Sequence, residues 1–389
     1  MIILDNITLI VCGILIVFAA VTPFINPLFR FRSRAEEAVE DNMTDEELTQ
    51  TDLPPVAVII SAHDNAKELK ENLPLFLSQQ YPTDFQIIVV VEKSTDGTED
   101  VLKLFASDEH LYTTFIPTSS RYVSRKKVAV TIGVKASKYD WVILTDPQCR
   151  PASDKWLATM ARNFKKGTDV VMGYSNYADD AKAFCKFETL QTACYLLPRA
   201  MKKAPYRTNA TNLAFRKEMF MQGGGYQGNL ELVRGEYDFI VNKFGTEDNT
   251  AVEISSDAWI TENAPTRKAW RDEQLNFMEV RKFLANNFTC RTLFNLDNLL
   301  LHLNYIIIIA ALIYSIITMR WVITAVAAVA LIVTIVLRTH IAKRMFRIFD
   351  VDISAFKVAV LELNIFWNKF ITQIIHGGAD RRDFISHKI

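Results

Sequence analysis

The chain is poor in the residue patterns that mark several function classes. Its 389 residues hold only five cysteines, Cys12, Cys149, Cys185, Cys194 and Cys290, with no C-x-x-C pair among them. So odd and scattered a set excludes a disulfide framework and points to reduced thiols in a reducing compartment. The six histidines lack metal-ligand spacing. Basic and acidic residues balance at 44 each, so there is no cationic excess to attract a nucleic acid, and none is expected as a partner. P-loops, internal repeats and low-complexity tracts are missing as well. Gly223–Gly228 matches G-x-G-x-x-G, but it comes after a helical pattern and opens no helix, so the dinucleotide reading fails its context and a flexible loop is expected there.

What the chain has is apolar residues, 50% of the total, some of them in long uncharged runs. Ile7–Leu28 carries no charge and is about the 20 residues that a spanning helix needs. Lys and Arg are missing ahead of it and no A-x-A site comes after it, which argues against a cleaved signal peptide. Residues 1–29 are therefore expected to be a transmembrane anchor, and Arg30, Arg32 and Arg34 place the chain beyond residue 29 in the cytoplasm. Residues 30–53 read as an acidic linker, with capping-box spacing at Thr44 and Glu47 for a short helix over Thr44–Gln50. Asn298–Thr318 and Trp321–Leu337, joined by Met319 and Arg320, form a transmembrane hairpin over 298–337. Arg338, Lys343, Arg344 and Arg347 return the chain to the cytoplasm and open a basic, amphipathic C-terminal segment, 338–389. Within it, Phe356–Ile375 is apolar but holds Lys357, Glu362, Asn364, Asn368 and Lys369. It reads as an interfacial or partner-packed helix, with a fourth span as the alternative. The spanning segments hold no buried acid or base beyond His302, which argues against a transporter. The expectation is a multi-pass protein of the cell (inner or plasma) membrane with its middle region in the cytoplasm.

That middle region is organised around Trp141–Pro151. The run Trp141–Leu144 fits a strand buried on both faces, and Pro147, lacking an N–H, ends it. Asp146 then lies at the carboxyl end of a buried strand, where open α/β sheets bind ligands. A carboxylate there suits a divalent cation holding phosphate oxygens, or it caps the turn before Pro147. Val56–Ser61 and Phe85–Val91 are further buried strands, and Thr114–Pro117 a short one. Helical patterns at Glu68–Gln80, Glu99–Ala106 and Lys126–Lys138 alternate with them, which predicts a parallel sheet with the turns at 61–65, 92–98 and 145–150 on one edge. Further on, Asp169–Tyr174 and Thr211–Phe215 read as strands, Asp180–Lys203 as a long helix and Leu230–Lys243 as another.

Val56–Asn65, Ile87–Thr98 (IIVVVEKSTDGT), Lys126–Gly133 (KKVAVTIG) and Val142–Pro151 together resemble the family 2 glycosyltransferases over about residues 54–285. The resemblance implies an α/β GT-A fold, a Rossmann-like mixed sheet of the nucleotide-diphospho-sugar transferases, over 54–290 and flanked by transmembrane helices. It also implies inverting transfer from a nucleotide-diphospho-sugar donor to a glycan or lipid-linked acceptor, at the membrane and among other polysaccharide-assembly proteins. By the same resemblance Ser61 and His63 line the nucleoside, Glu92 reads the base, Asp96 sits in the matching turn, and Lys126 and Lys127 face the nucleotide. Physically, carboxylate acceptors suit base N–H groups and a cation suits a diphosphate. As ordinary residues, His63, Ser94 and Asp96 would be turn residues and the lysines a solvated helix face.

The chain departs from the family pattern in three places. The metal motif Asp-x-Asp is here Asp146-Pro147-Gln148, so Asp146 remains as the metal residue, Gln148 brings no charge, and the manganese or magnesium cofactor is expected to be weakly bound or absent. The base motif is Gly235-Glu236-Tyr237-Asp238, which puts tyrosine, a poor base at neutral pH, at the aligned place. Asp238 is the first choice as base and Glu236 the second, both being otherwise acids favoured at a helix N-terminus. The acceptor motif Gln-x-x-Arg-Trp has only Trp270–Gln274 in its region, with Gln274 and Arg281 as substitutes. The departures leave two readings, a divergent, metal-poor transferase and a degenerate homologue that scaffolds or regulates polysaccharide assembly.

Overall fold

A computed structural model describes residues 5–40, 53–116, 124–380 and 382–385; the helix expected at Thr44–Gln50 lies outside them. The chain divides into two units, Met1–Arg34 with Phe288–Ile371, and Ala35–Asn287 with Thr372–Ile389.

In the second unit the continuous apolar runs become the middle of a sheet. β1 (Val56–Ala62) and β2 (Phe85–Val91) pair in parallel, β3 (Leu111–Phe115) adds outside β2, and β4 (Trp141–Thr145) lies on the other side of β1. Every residue of β2 and β4 is buried, as a strand covered on both faces requires. At about 1.5–3 kcal/mol for each fully buried large aliphatic side chain, these strands hold much of the core, with Trp156, Phe76 and Leu73 packed against them. β5 (Cys149–Pro151), β6 (Val170–Met172), β7 (Ser175–Tyr177), β8 (Leu213–Arg216), β9 (Thr250–Val252) and β10 (Ile260–Glu262) complete two sheets, β3-β2-β1-β4-β8-β6-β9 and β5-β10-β7. The large sheet is mixed, because β8 runs antiparallel to both β4 and β6.

Two glycines set the geometry near the strand ends. A Cβ on Gly133 would lie 2.6 Å from Ile59 Cγ2, so only glycine lets the Arg125–Ala136 helix pack this closely on β1. Gly235, at φ +98°, is left-handed and starts the next helix at Glu236 (Glu236–Phe244). The helical pattern read from Leu230 is therefore shortened at its front.

Among the described residues four helices are long and apolar enough to cross a membrane, Asn6–Ile25, Cys290–Ile317, Trp321–Ile348 and Ala355–Gly378. Leu15, Ala19, Ile308, Ala311, Ile323, Ala327 and Ala330 form a core between the first three, with small residues allowing close approach. Two sequence expectations change. Residues 30–40 are helical (Pro27–Glu40) where a linker was expected. The expected lack of buried charge fails because the helices run past the apolar windows. Arg338, 1% exposed, meets Glu362 at 2.8 Å, Asp297 at 3.4 Å and the Thr22 carbonyl at 2.8 Å, and Asn26 donates to the other Glu362 oxygen at 2.9 Å.

Candidate active site

The parallel register pairs Ala62 with Val91 and Ile60 with Thr145, so Glu92 and Asp146 leave the sheet at one edge. The Asp146 turn is fixed from both sides. The Cys149 N–H donates to the Asp146 carbonyl at 3.0 Å and the Asn72 amide to the Pro147 carbonyl at 2.8 Å. Above this edge lies a cleft of about 990 Å³, lined by Ser61, His63, Glu92, Lys126, Asp146, Gln148, Glu236 and Asp238 together with neighbours.

At its centre the Lys126 ammonium lies 2.8 Å from Asp146 Oδ2 and 2.8 Å from Glu236 Oε1. Tyr237 donates its hydroxyl to Asp146 Oδ1 at 3.1 Å, and the Gln148 amide approaches Oδ2 at 3.4 Å. These groups come from the carboxyl end of β4, the first turn of the Arg125–Ala136 helix and the first turn of the Glu236–Phe244 helix. Desolvation opposes the charge on Lys126, but Asp146 and Glu236 outweigh it and raise its pKa above the usual lysine value.

The acids at 236 and 238 are driven apart. Desolvation pushes Glu236 up, yet Lys126 and Arg234 overcome it and hold the group down at about 2. Asp238 is raised to about 6, by desolvation first and by Glu236, against the opposing pull of Arg207. Burial and then the Asp146 charge push the Tyr237 phenol well above 10, which removes it as a base at neutral pH. Two carboxylates a helical turn apart at most, one locked ionised and one poised near neutrality, form the kind of split pair from which acid and base roles are assigned.

The other residues singled out from the sequence divide between the cleft and its surroundings. Glu92 accepts from Arg125, and the exposed His63 ring contacts the Lys93 carbonyl at 3.1 Å. Asp96 lies off the cleft lining, its oxygens taken by the Ala66 and Thr98 N–H groups and the Thr98 hydroxyl, and these bonds hold its pKa down against desolvation. Lys127 points away from the cleft. It is 0% exposed and donates to the Asn229 and Leu232 carbonyls at 2.7 and 2.6 Å, securing the loop ahead of Gly235. Gln274 is half-buried and outside the lining, whereas Asp272 and Asn276 of the same helix face in. Sequence reading missed Arg125, Arg207, Arg234 and Glu262, all on the cleft. Adjacency to Lys126 was the only signal for Arg125, and the other three had none.

The donor set does not suit a divalent cation. Hard cations need several oxygens at about 2.0–2.6 Å. Here both Asp146 oxygens accept from protein donors, one of them an ammonium, and residue 148 is an amide. Among the described residues no three His, Cys, Asp or Glu are grouped to hold one ion.

Comparison with known proteins finds a likeness for part of this domain. Residues 57–224 match the model of Glycosyl transferase family 2, a match that ends before Gly235 and so does not reach the Glu236–Asp238 acids. A mannosyltransferase from Pyrobaculum calidifontis, solved with GDP-Man and Mn2+, aligns with a TM-score of 0.52 at 19% identity over 84% of this chain and 98% of its own. At that identity the likeness establishes the fold, GT-A. TarS 1–349 from S. aureus, in complex with UDP-GlcNAc, aligns at a TM-score of 0.45 and 14% identity over 84% and 93% of the two chains. No curated protein matches the chain. The front of the domain, residues 57–224, is thus similar to that family, and the fold is GT-A.

Proposed function

We propose that the chain is a membrane-bound inverting glycosyltransferase moving a sugar from a nucleotide-diphospho-sugar to a hydroxyl of a glycan or lipid-linked acceptor. The observation that carries this reading is the split pair, Glu236 held at about 2 beside Lys126 and Asp238 raised to about 6 on the same cleft. Asp238 is the base. It takes the acceptor hydroxyl proton, the freed oxygen forms a bond to the anomeric carbon, and the bond from that carbon to the diphosphate breaks, with its electron pair leaving on the diphosphate. Attack from the face opposite the leaving group inverts the anomeric centre. Ser61, His63 and Glu92 lie where the nucleoside would rest, and Arg125 and Lys126 supply cations for the diphosphate. The GDP-Man in the Pyrobaculum mannosyltransferase supports a nucleotide-sugar donor.

Placement at the cell membrane, domain in the cytoplasm, rests on Arg30, Arg32 and Arg34 and on three contacts. Arg320 pairs with Asp5 at 2.6 Å, tying the hairpin tip to the outer start of the first span. His376 meets Glu279 at 3.0 Å, and the Val233 N–H donates to the Phe384 carbonyl at 3.0 Å. One crossing and a returning hairpin keep residue 376 on the domain's side, whereas a fourth crossing would remove it. The contacts therefore support the interfacial reading of Phe356–Ile375.

The test is turnover of purified full-length protein with a panel of UDP- and GDP-sugars and glycan or lipid-linked acceptors, monitored by nucleoside diphosphate release. Release with one donor is expected, and none with any donor would sink the reading. The second reading, a non-catalytic partner in polysaccharide assembly, is favoured by one observation: Asp146 is already satisfied by Lys126 and Tyr237. Activity that vanishes in Asp146→Ala would end it.

A further inference from the structure

The mismatch between the cleft and a divalent ion has a specific chemical form. Lys126 Nζ sits where two carboxylates from distant parts of the chain converge, 2.8 Å from each. An ammonium has three protons; two of them meet Asp146 and Glu236, and the third remains for a ligand oxygen. A metal ion bridging Asp146 and Glu236 would have to occupy the point where that ammonium already lies. Arg125 is paired with Glu92, while Arg207 and Arg234 line the same cleft among further acids, of which burial raises Asp238, Glu262 and Glu273 toward the neutral form, so the cationic side chains are the groups a diphosphate would meet.

We propose that the Lys126 ammonium takes the place of the divalent cation, so that the chain binds its donor diphosphate and stabilises the departing diphosphate without a metal. This inference rests on the transferase reading. Asp146 and Glu236 then serve to position Lys126 and keep it charged, and Lys126 itself touches the donor. Gln148 fits the same scheme, since an ammonium already held between Asp146 and Glu236 needs no second carboxylate beside Asp146.

The experiment is calorimetric titration of the full-length protein in detergent with UDP and with GDP, in excess EDTA and in excess Mn2+. The nucleotide that binds should do so with dissociation constants agreeing within about threefold between the two conditions. Binding only in Mn2+ overturns the inference and leaves the transferase reading standing. No binding in either condition, together with no turnover on the donor panel, overturns both. Lys126→Met removes the cation and leaves two carboxylates facing one point. It should lose about 100-fold in EDTA and recover most of that in Mn2+. Binding by Lys126→Met in EDTA at wild-type strength would also overturn the inference. Lys126→Arg keeps the charge and should bind in EDTA, so the question stays open to decision if the methionine variant does not fold.

Discussion

The same composition, one cation between two acids, occurs twice in this molecule with different consequences. In the unit of long apolar helices, Arg338 lies between Glu362 and Asp297, 1% exposed, with Thr22 and Asn26 completing the bonds. In the second unit, Lys126 lies between Asp146 and Glu236 on the wall of a cleft. A planar guanidinium whose three nitrogens all have partners makes a lock between helices. An ammonium with a proton to spare and open volume in front of it makes a binding site. What separates structure from function here is unsatisfied capacity facing solvent, not residue type.

The largest expected effect separates the two regions by what fails. Asp238→Asn should lower kcat by about 10²–10⁴, the usual contribution of a general base, while the fold holds or gains. The sign comes from linkage. An acid raised from 3.8 to about 6 keeps its proton in the folded state at pH values where the unfolded chain releases it. Folding therefore loses stability as pH rises through that window, and above it the ionised group carries a penalty on the order of 1–3 kcal/mol. Asparagine removes the penalty. A variant that loses activity only because it melts would place Asp238 with the structural groups.

Arg338→Met should do the reverse. Leaving Glu362 and Asp297 buried without their partner costs about 3–5 kcal/mol, read as a drop in the melting temperature of the detergent-solubilised chain, with kcat of the surviving folded fraction unchanged. Equal cost from Lys126→Met would erase the distinction, because water in the cleft should soften the loss there.

A smaller effect is the acid limb. With Asp238 at about 6 and Glu236 at about 2, kcat/KM should fall roughly tenfold per pH unit below the first value while Glu236 stays ionised. A profile that stays flat down to about pH 5 would remove Asp238 as the base.

The sheet was legible because burial on both faces writes itself as an uninterrupted apolar run: β1, β2 and β4 fall on the runs at 56, 85 and 141. Asp146 was legible because Pro147 marks a strand end. Lys126 and Lys127 could not be told apart by composition. One helical residue is about 100° of rotation, and that rotation sends Lys126 into the cleft and Lys127 under the loop at 229–232. The join of 126 to 146 and 236 is a product of topology, and no local pattern carries it. The Arg338 cluster was hidden for a different reason. Hydropathy windows end at the first charge, so Asp297 and Arg338 fell one residue outside the segments read at 298–318 and 321–337, although the helices continue through both.

The finest test of the comparison adds charge instead of removing it. Gln148→Asp restores a second carboxylate two residues from Asp146. If the Lys126 ammonium owns the bridging point, Mn2+ should change nucleotide affinity of this variant by no more than about threefold, because the cation already present repels the incoming one. Combined with Lys126→Met, the same aspartate should make binding depend on Mn2+ by well over about tenfold. The pair of results is informative through its asymmetry. A strong Mn2+ requirement in Gln148→Asp alone would mean that the ammonium is readily displaced, and the cleft would then be a metal site short of one ligand, not a site completed by lysine.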